Sequence, residues 1–178
     1  MCNRDEIRNS VCQALTEVND RLRGQGASDT EWTTAIKTAL CQAGHGLNYL
    51  VAASLDRNRV VAGCAGGPDF GEWLFDLVWM FWHGEPQRQL NRICLVVESE
   101  WGNRGDIMDD FEKLLVARSD VRLMIFQASN EVEVRKMFDL LEREAQGFEQ
   151  SQAGDYYLLA GYDCEGSIFL WRELQVER

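Results

Sequence analysis

Ile93-Cys94-Leu95-Val96-Val97-Glu98-Ser99-Glu100-Trp101 reads as a strand that is apolar at first and then turns acidic. Its β-branched and apolar residues suit a buried sheet position. Glu98 and Glu100 are two residues apart and so share one strand face. Upstream, Trp73-Leu74-Phe75-Asp76-Leu77-Val78-Trp79 sets Asp76 in the middle of a second hydrophobic run. A carboxylate is costly to bury unless a cation, a hydrogen bond or water compensates it. Three such acids converging at the end of a sheet point to a divalent-metal site.

Outward from these strands, the chain alternates between helical and strand-like periods. Ile7, Val11, Leu15 and Val18 recur at three- and four-residue intervals, which predicts a helix over 5–23 ended by Gly24-Gln25-Gly26. Trp32, Ile36, Ala39 and Leu40 mark the buried face of a second helix over 29–43, ended by Gly44 and Gly46. A first strand is expected over 47–54, a second over 72–82 and a third over 92–101. The glycine-rich stretch from Gly63 to Gly71 lacks the lysine and spacing of a phosphate-binding loop and reads as a connection. A helix follows from Gly105-Asp106, with Asp106 as its expected N-cap and Ile107, Phe111, Leu114 and Leu115 on one face. Then come a strand over 121–127, a helix from a capping-box-like Asn130-Glu131-Val132-Glu133, and a hairpin around Asp163-Cys164-Glu165-Gly166. This order predicts an α/β domain, a mixed sheet with helices packed on it.

The chain has 178 residues, 46% hydrophobic and 26% charged, which predicts a single globular domain with a proper core. No apolar run approaches a membrane span, and Met1-Cys2-Asn3-Arg4-Asp5-Glu6 is unlike a signal peptide. The expectation is a cytoplasmic protein without a membrane partner. No two of the six cysteines have C-x-x-C spacing, so thiols packed as small hydrophobes are expected in place of a zinc or redox motif. His45 and His83 are too far apart to suggest a histidine metal site. The net charge of −11 disfavours an unselective nucleic-acid binder.

The order helix, three strands, helix, strand, with Asp76 on the second strand and Glu98-Ser99-Glu100 on the third, resembles the PD-(D/E)XK nuclease superfamily over about residues 28–128. The resemblance implies a restriction-endonuclease-like αβββαβ core, with the N-terminal helix and C-terminal hairpin added to it. It implies Mg²⁺ or Mn²⁺ held by Asp76 and Glu98, and it puts Glu100 where the family's lysine usually stands. Some restriction endonucleases of the family carry Glu there, and others supply the lysine from a neighbouring helix. Lys113, in Asp110-Phe111-Glu112-Lys113-Leu114-Leu115, is positioned to be that migrated lysine. By the same resemblance Gln127 matches a site glutamine and Glu31 an additional acid.

Each residue also has an ordinary role open to it. Ser28-Asp29-Thr30-Glu31 is a capping box, Lys113 can pair with Asp109 or Asp110 along its helix, and Gln127 can bond at a strand end. Trp82 and Trp101 can stack on bases or pack in the core. The functional expectation is a Mg²⁺-dependent endonuclease hydrolysing phosphodiester bonds, of DNA ahead of RNA. A homodimer or a protein partner fits alongside it. The alternative is a nuclease-fold protein without catalysis, whose acidic surface engages a basic protein partner.

Overall fold

In a computed structural model, which describes residues 3–55, 69, 71, 73–83 and 89–177, the chain forms one six-stranded mixed sheet with helices on both faces. The elements are α1 (Arg4–Leu22), α2 (Asp29–Gly46), β1 (Leu50–Ala53), β2 (Leu77–His83), β3 (Gln89–Glu100), α3 (Arg104–Val116), β4 (Val121–Ala128), α4 (Glu131–Gly147), β5 (Tyr156–Asp163) and β6 (Ile168–Gln175). The spatial order follows the chain order, β1 to β6. β1, β2 and β3 form an antiparallel meander, β3, β4 and β5 run parallel, and β6 returns antiparallel.

β4, β5 and the second half of β3 read as near-continuous apolar runs because both faces are covered. Leu95, Val97, Leu123, Ile125, Leu158 and Ala160 face the layer of α1 and α2. The intervening Val96, Met124, Phe126, Tyr157 and Leu159 face the layer of α3 and α4. The four apolar positions predicted for α1 are all buried. Asn3 caps α1, and Ser28 with Glu31 closes a capping box on α2.

Several boundaries differ from the periodic reading. α2 continues through Gly44, where a Cβ would come within 2.7 Å of the Trp79 indole nitrogen. That glycine therefore permits close helix-to-sheet approach and does not stop the helix. Asn103, not Asp106, caps α3; Asp106 is the third helical residue and reaches back to the Asn103 N–H. β2 begins at Leu77, after Leu74, whose φ of 65° breaks an extended run. Asp76 thus precedes the strand. Cys94 is disulfide-bonded, where thiols were expected throughout, since sequence spacing does not report which sulfurs meet in space. Cys12 and Cys164 are thiols. Most of the Gly63–Gly71 stretch lies outside the described residues.

Candidate active site

Residues at the carboxyl end of β3 and the entry to β2 form the candidate site. Leu77 pairs with Val97, so continuing the antiparallel register one step outward sets Asp76 opposite Glu98. Alternation puts Glu98 on the α3 and α4 side with Val96, and Ser99 on the α1 and α2 side with Val97. Asp76 precedes the strand, and its carboxylate reaches Ser99 and Lys37 of α2, so the two carboxylates meet different neighbours.

Asp76 is held from several directions. Its Oδ1 is 2.7 Å from the Lys37 ammonium, which also reaches Ser54 Oγ at 2.6 Å. Its Oδ2 accepts from the Ser99 backbone N–H at 3.0 Å and the Ser99 hydroxyl at 2.7 Å. Lys37 is only 6% exposed. A buried ammonium of this kind needs an anionic partner, and Asp76 provides it.

Glu98 is in the opposite condition. It is 3% exposed, and its Oε1 is buried without a hydrogen-bond partner. Burial, and next the charge of Asp76, push its carboxyl up to about 8, while Lys113 and the Asp76 backbone N–H pull it down. The Lys113 Nζ is 3.7 Å from Glu98 Oε1 and 2.6 Å from Asp110 Oδ1. Lys113 is thus both a helix-surface ion-pair partner and the cation nearest the buried acid. Its own affinity for a proton is raised, first by the hydrogen bond to Asp110.

The other sequence candidates lie around this pair with different employment. Glu100 is half-buried and accepts the Gly102 N–H at 2.5 Å. Gln127 donates to the Trp101 carbonyl at 2.6 Å, fixing the chain just past β3. Trp101 packs against Trp32 and donates to Thr33 Oγ1. Glu31 is exposed in the α2 cap, where the Ser28 N–H holds its carboxyl below the ordinary range.

Sequence reasoning did not single out Lys37 or Ser99. Lys37 had a signal, because it stands three and four residues before the buried Leu40 and Cys41 and so falls on the inward arc of α2. Ser99 had none, since a serine between two glutamates is unremarkable until its strand face is known.

A divalent ion would meet Glu98 first, whose buried Oε1 has the Lys113 ion pair but no hydrogen bond. Asp76 is the second carboxylate, and Mg²⁺ is commonly bound by one or two carboxylates with waters and substrate phosphate. Among the described residues, no group of three or more His, Cys, Asp or Glu side chains is placed to hold a metal. Also among them, no helix is long and apolar enough to cross a membrane. No family model, curated protein or solved structure matches this chain.

Proposed function

We propose that this chain is a divalent-metal-dependent nuclease with a restriction-endonuclease-like core of the PD-(D/E)XK type, acting on DNA ahead of RNA. The observation that carries this is Glu98, a buried carboxyl with an oxygen that lacks a hydrogen bond, beside Asp76 and 3.7 Å from Lys113. The succession α2, β1, β2, β3, α3, β4 supports it, as does the position of both acids where β2 and β3 meet.

Glu98 and Asp76 would hold Mg²⁺ or Mn²⁺. Bound there, the ion supplies charge neutralisation for the phosphate and a lower pKa for the attacking water. The chain's own residues do the rest. Lys37 and Ser99 fix the Asp76 carboxylate in orientation. Lys113 brings positive charge to where negative charge develops on the phosphate as water's oxygen bonds to phosphorus and the leaving oxygen departs. It thereby takes over the part left open by Glu100, which is tied to the Gly102 N–H. The test incubates plasmid, single-stranded DNA and RNA with Mg²⁺ or Mn²⁺, alongside Asp76→Ala and Glu98→Ala. We expect cleavage that falls at least about a hundredfold in either variant. No cleavage by the wild type, or equal cleavage by all three, refutes the nuclease reading.

Two observations favour a non-catalytic alternative, an acidic module for a basic protein partner. Both Asp76 oxygens are already engaged by protein groups, and the net charge is −11. Calorimetric titration with Mg²⁺ or Mn²⁺ separates the two. Submillimolar binding that Glu98→Ala abolishes counts against this alternative.

A further inference from the structure

At the other end of the parallel strands lies a cavity of about 610 Å³, formed where α3 leads into β4 and α4 leads into β5. Its wall includes Arg118, Ser119, Arg122, Gln150, Gln152 and Asp155. Arg122 is the second residue of β4 and is only 4% exposed. Its Nε and Nη2 donate to the Ala117 carbonyl at 3.0 and 2.7 Å, and Nη2 also donates to Asp155 Oδ1 at 3.0 Å. The guanidinium lies over the Tyr157 ring, 5.1 Å from its centroid.

These contacts account for two of the three guanidinium nitrogens. The third, Nη1, is buried with no hydrogen-bond partner. An unpaired charged donor is costly inside a protein, so Nη1 leaves positive charge uncompensated at the cavity wall. Asp155 meets Arg122 through Nη2 and not Nη1, and its Oδ2 takes the Gln152 backbone N–H at 2.9 Å. Arg118 is exposed on the same wall. Two arginines against one already engaged acid leave this cavity net positive, in a chain whose net charge is −11. The volume falls in the range of small-molecule pockets, and the side chains named are polar.

We propose that this cavity binds the oxyanion, phosphate or carboxylate, of a small polar ligand. Arg118 supplies a planar fork that matches two oxygens of such a group, and Arg122 supplies the fixed buried charge behind it. The site is independent of the nuclease reading, because neither Glu98 nor Asp76 lines this cavity.

The test uses the full chain in EDTA, at constant ionic strength, titrated with inorganic phosphate in one arm and succinate in the other. Thermal unfolding and calorimetry are read for wild type, Arg118→Ala, Arg122→Lys and Glu98→Gln. We expect a saturable rise in Tm with at least one anion. Its dissociation constant should weaken at least about tenfold in Arg118→Ala and stay unchanged in Glu98→Gln. Saturation by phosphate alone assigns a phosphate ligand, and saturation by succinate alone a carboxylate. Arg118 is exposed, so its variant remains informative even if Arg122→Lys does not fold. A linear rise of equal size in wild type and Arg118→Ala overturns the proposal, since excluded salts stabilise any fold in that way. So does the absence of any rise, or a rise that Glu98→Gln removes and Arg118→Ala keeps.

Discussion

The two ends of the parallel strands treat buried charge differently. At the amino ends, Arg92 pairs with Asp120 and Arg122 with Asp155, so each acid there has an arginine in contact. At the carboxyl ends, Asp76 is held by Lys37 and Ser99, while Glu98 keeps an oxygen with no hydrogen bond. These ion pairs hold neighbouring elements together, and the Arg122 Nη1 is the donor left without a hydrogen bond among them. A buried carboxyl left short of donors is destabilising as an anion, and it therefore marks a place where something else can bind.

The contrast is most exposed to test at Glu98. Its carboxyl titrates near 8 in the folded chain against an ordinary value of 4.5, so the native state holds a proton that the unfolded state has released between those pH values. Stability from this group is therefore fully present below pH 4.5 and lost as pH rises through 8. In metal-free buffer at pH 9, Glu98→Gln should be more stable than wild type by up to about 4 kcal/mol. The gap should close toward pH 4.5. Urea denaturation across the pH range measures it, and Mg²⁺ should narrow the gap at high pH by stabilising wild type alone. Equal stability at all pH values would break the contrast.

The opposite end gives the next largest effect. Arg122→Met removes one partner of a buried pair and leaves Asp155 and the Ala117 carbonyl short of donors. A loss of about 3 kcal/mol is expected in urea denaturation, with no rescue by divalent ions. Lys37→Met tests whether Asp76 belongs with the matched pairs. A loss of about 2 kcal/mol is expected, smaller because the Asp76 side chain is 24% exposed, and Asp76→Asn in the same chain should recover part of it. Full stability in Lys37→Met would place Asp76 with Glu98 as an acid awaiting a cation.

The smallest stability change sharpens the function. Lys113 is half-exposed, so Lys113→Met should cost below about 1 kcal/mol. Cleavage should nevertheless fall about tenfold, since the lysine is the cation nearest Glu98. Unchanged cleavage would leave Lys113 as a surface partner of Asp110.

Much of the architecture was legible because local periodicity carried it. The inward residues of α1 recur at helical intervals, and β3, β4 and β5 read as strands through their apolar runs. The entry to β2 was less legible, because Trp73-Leu74-Phe75 has strand composition yet Leu74 adopts a positive φ. Composition reports what a segment can bury, and it does not report a single backbone reversal. The cap of α3 was misread by three residues for a similar reason. Asp106 is a good capping residue, but Asn103 reaches the free N–H groups first.

The sequence by itself determined that Glu98 lies on an apolar strand and that Asp76 adjoins another, because period and spacing locate the strand segments. Only the tertiary structure decided how those acids differ. Asp76 received Lys37 from α2, and Glu98 was enclosed by α3 and the sheet with one donor too few. Pairing of buried charge depends on distances of a few ångströms between elements far apart in sequence, and no local pattern encodes those distances.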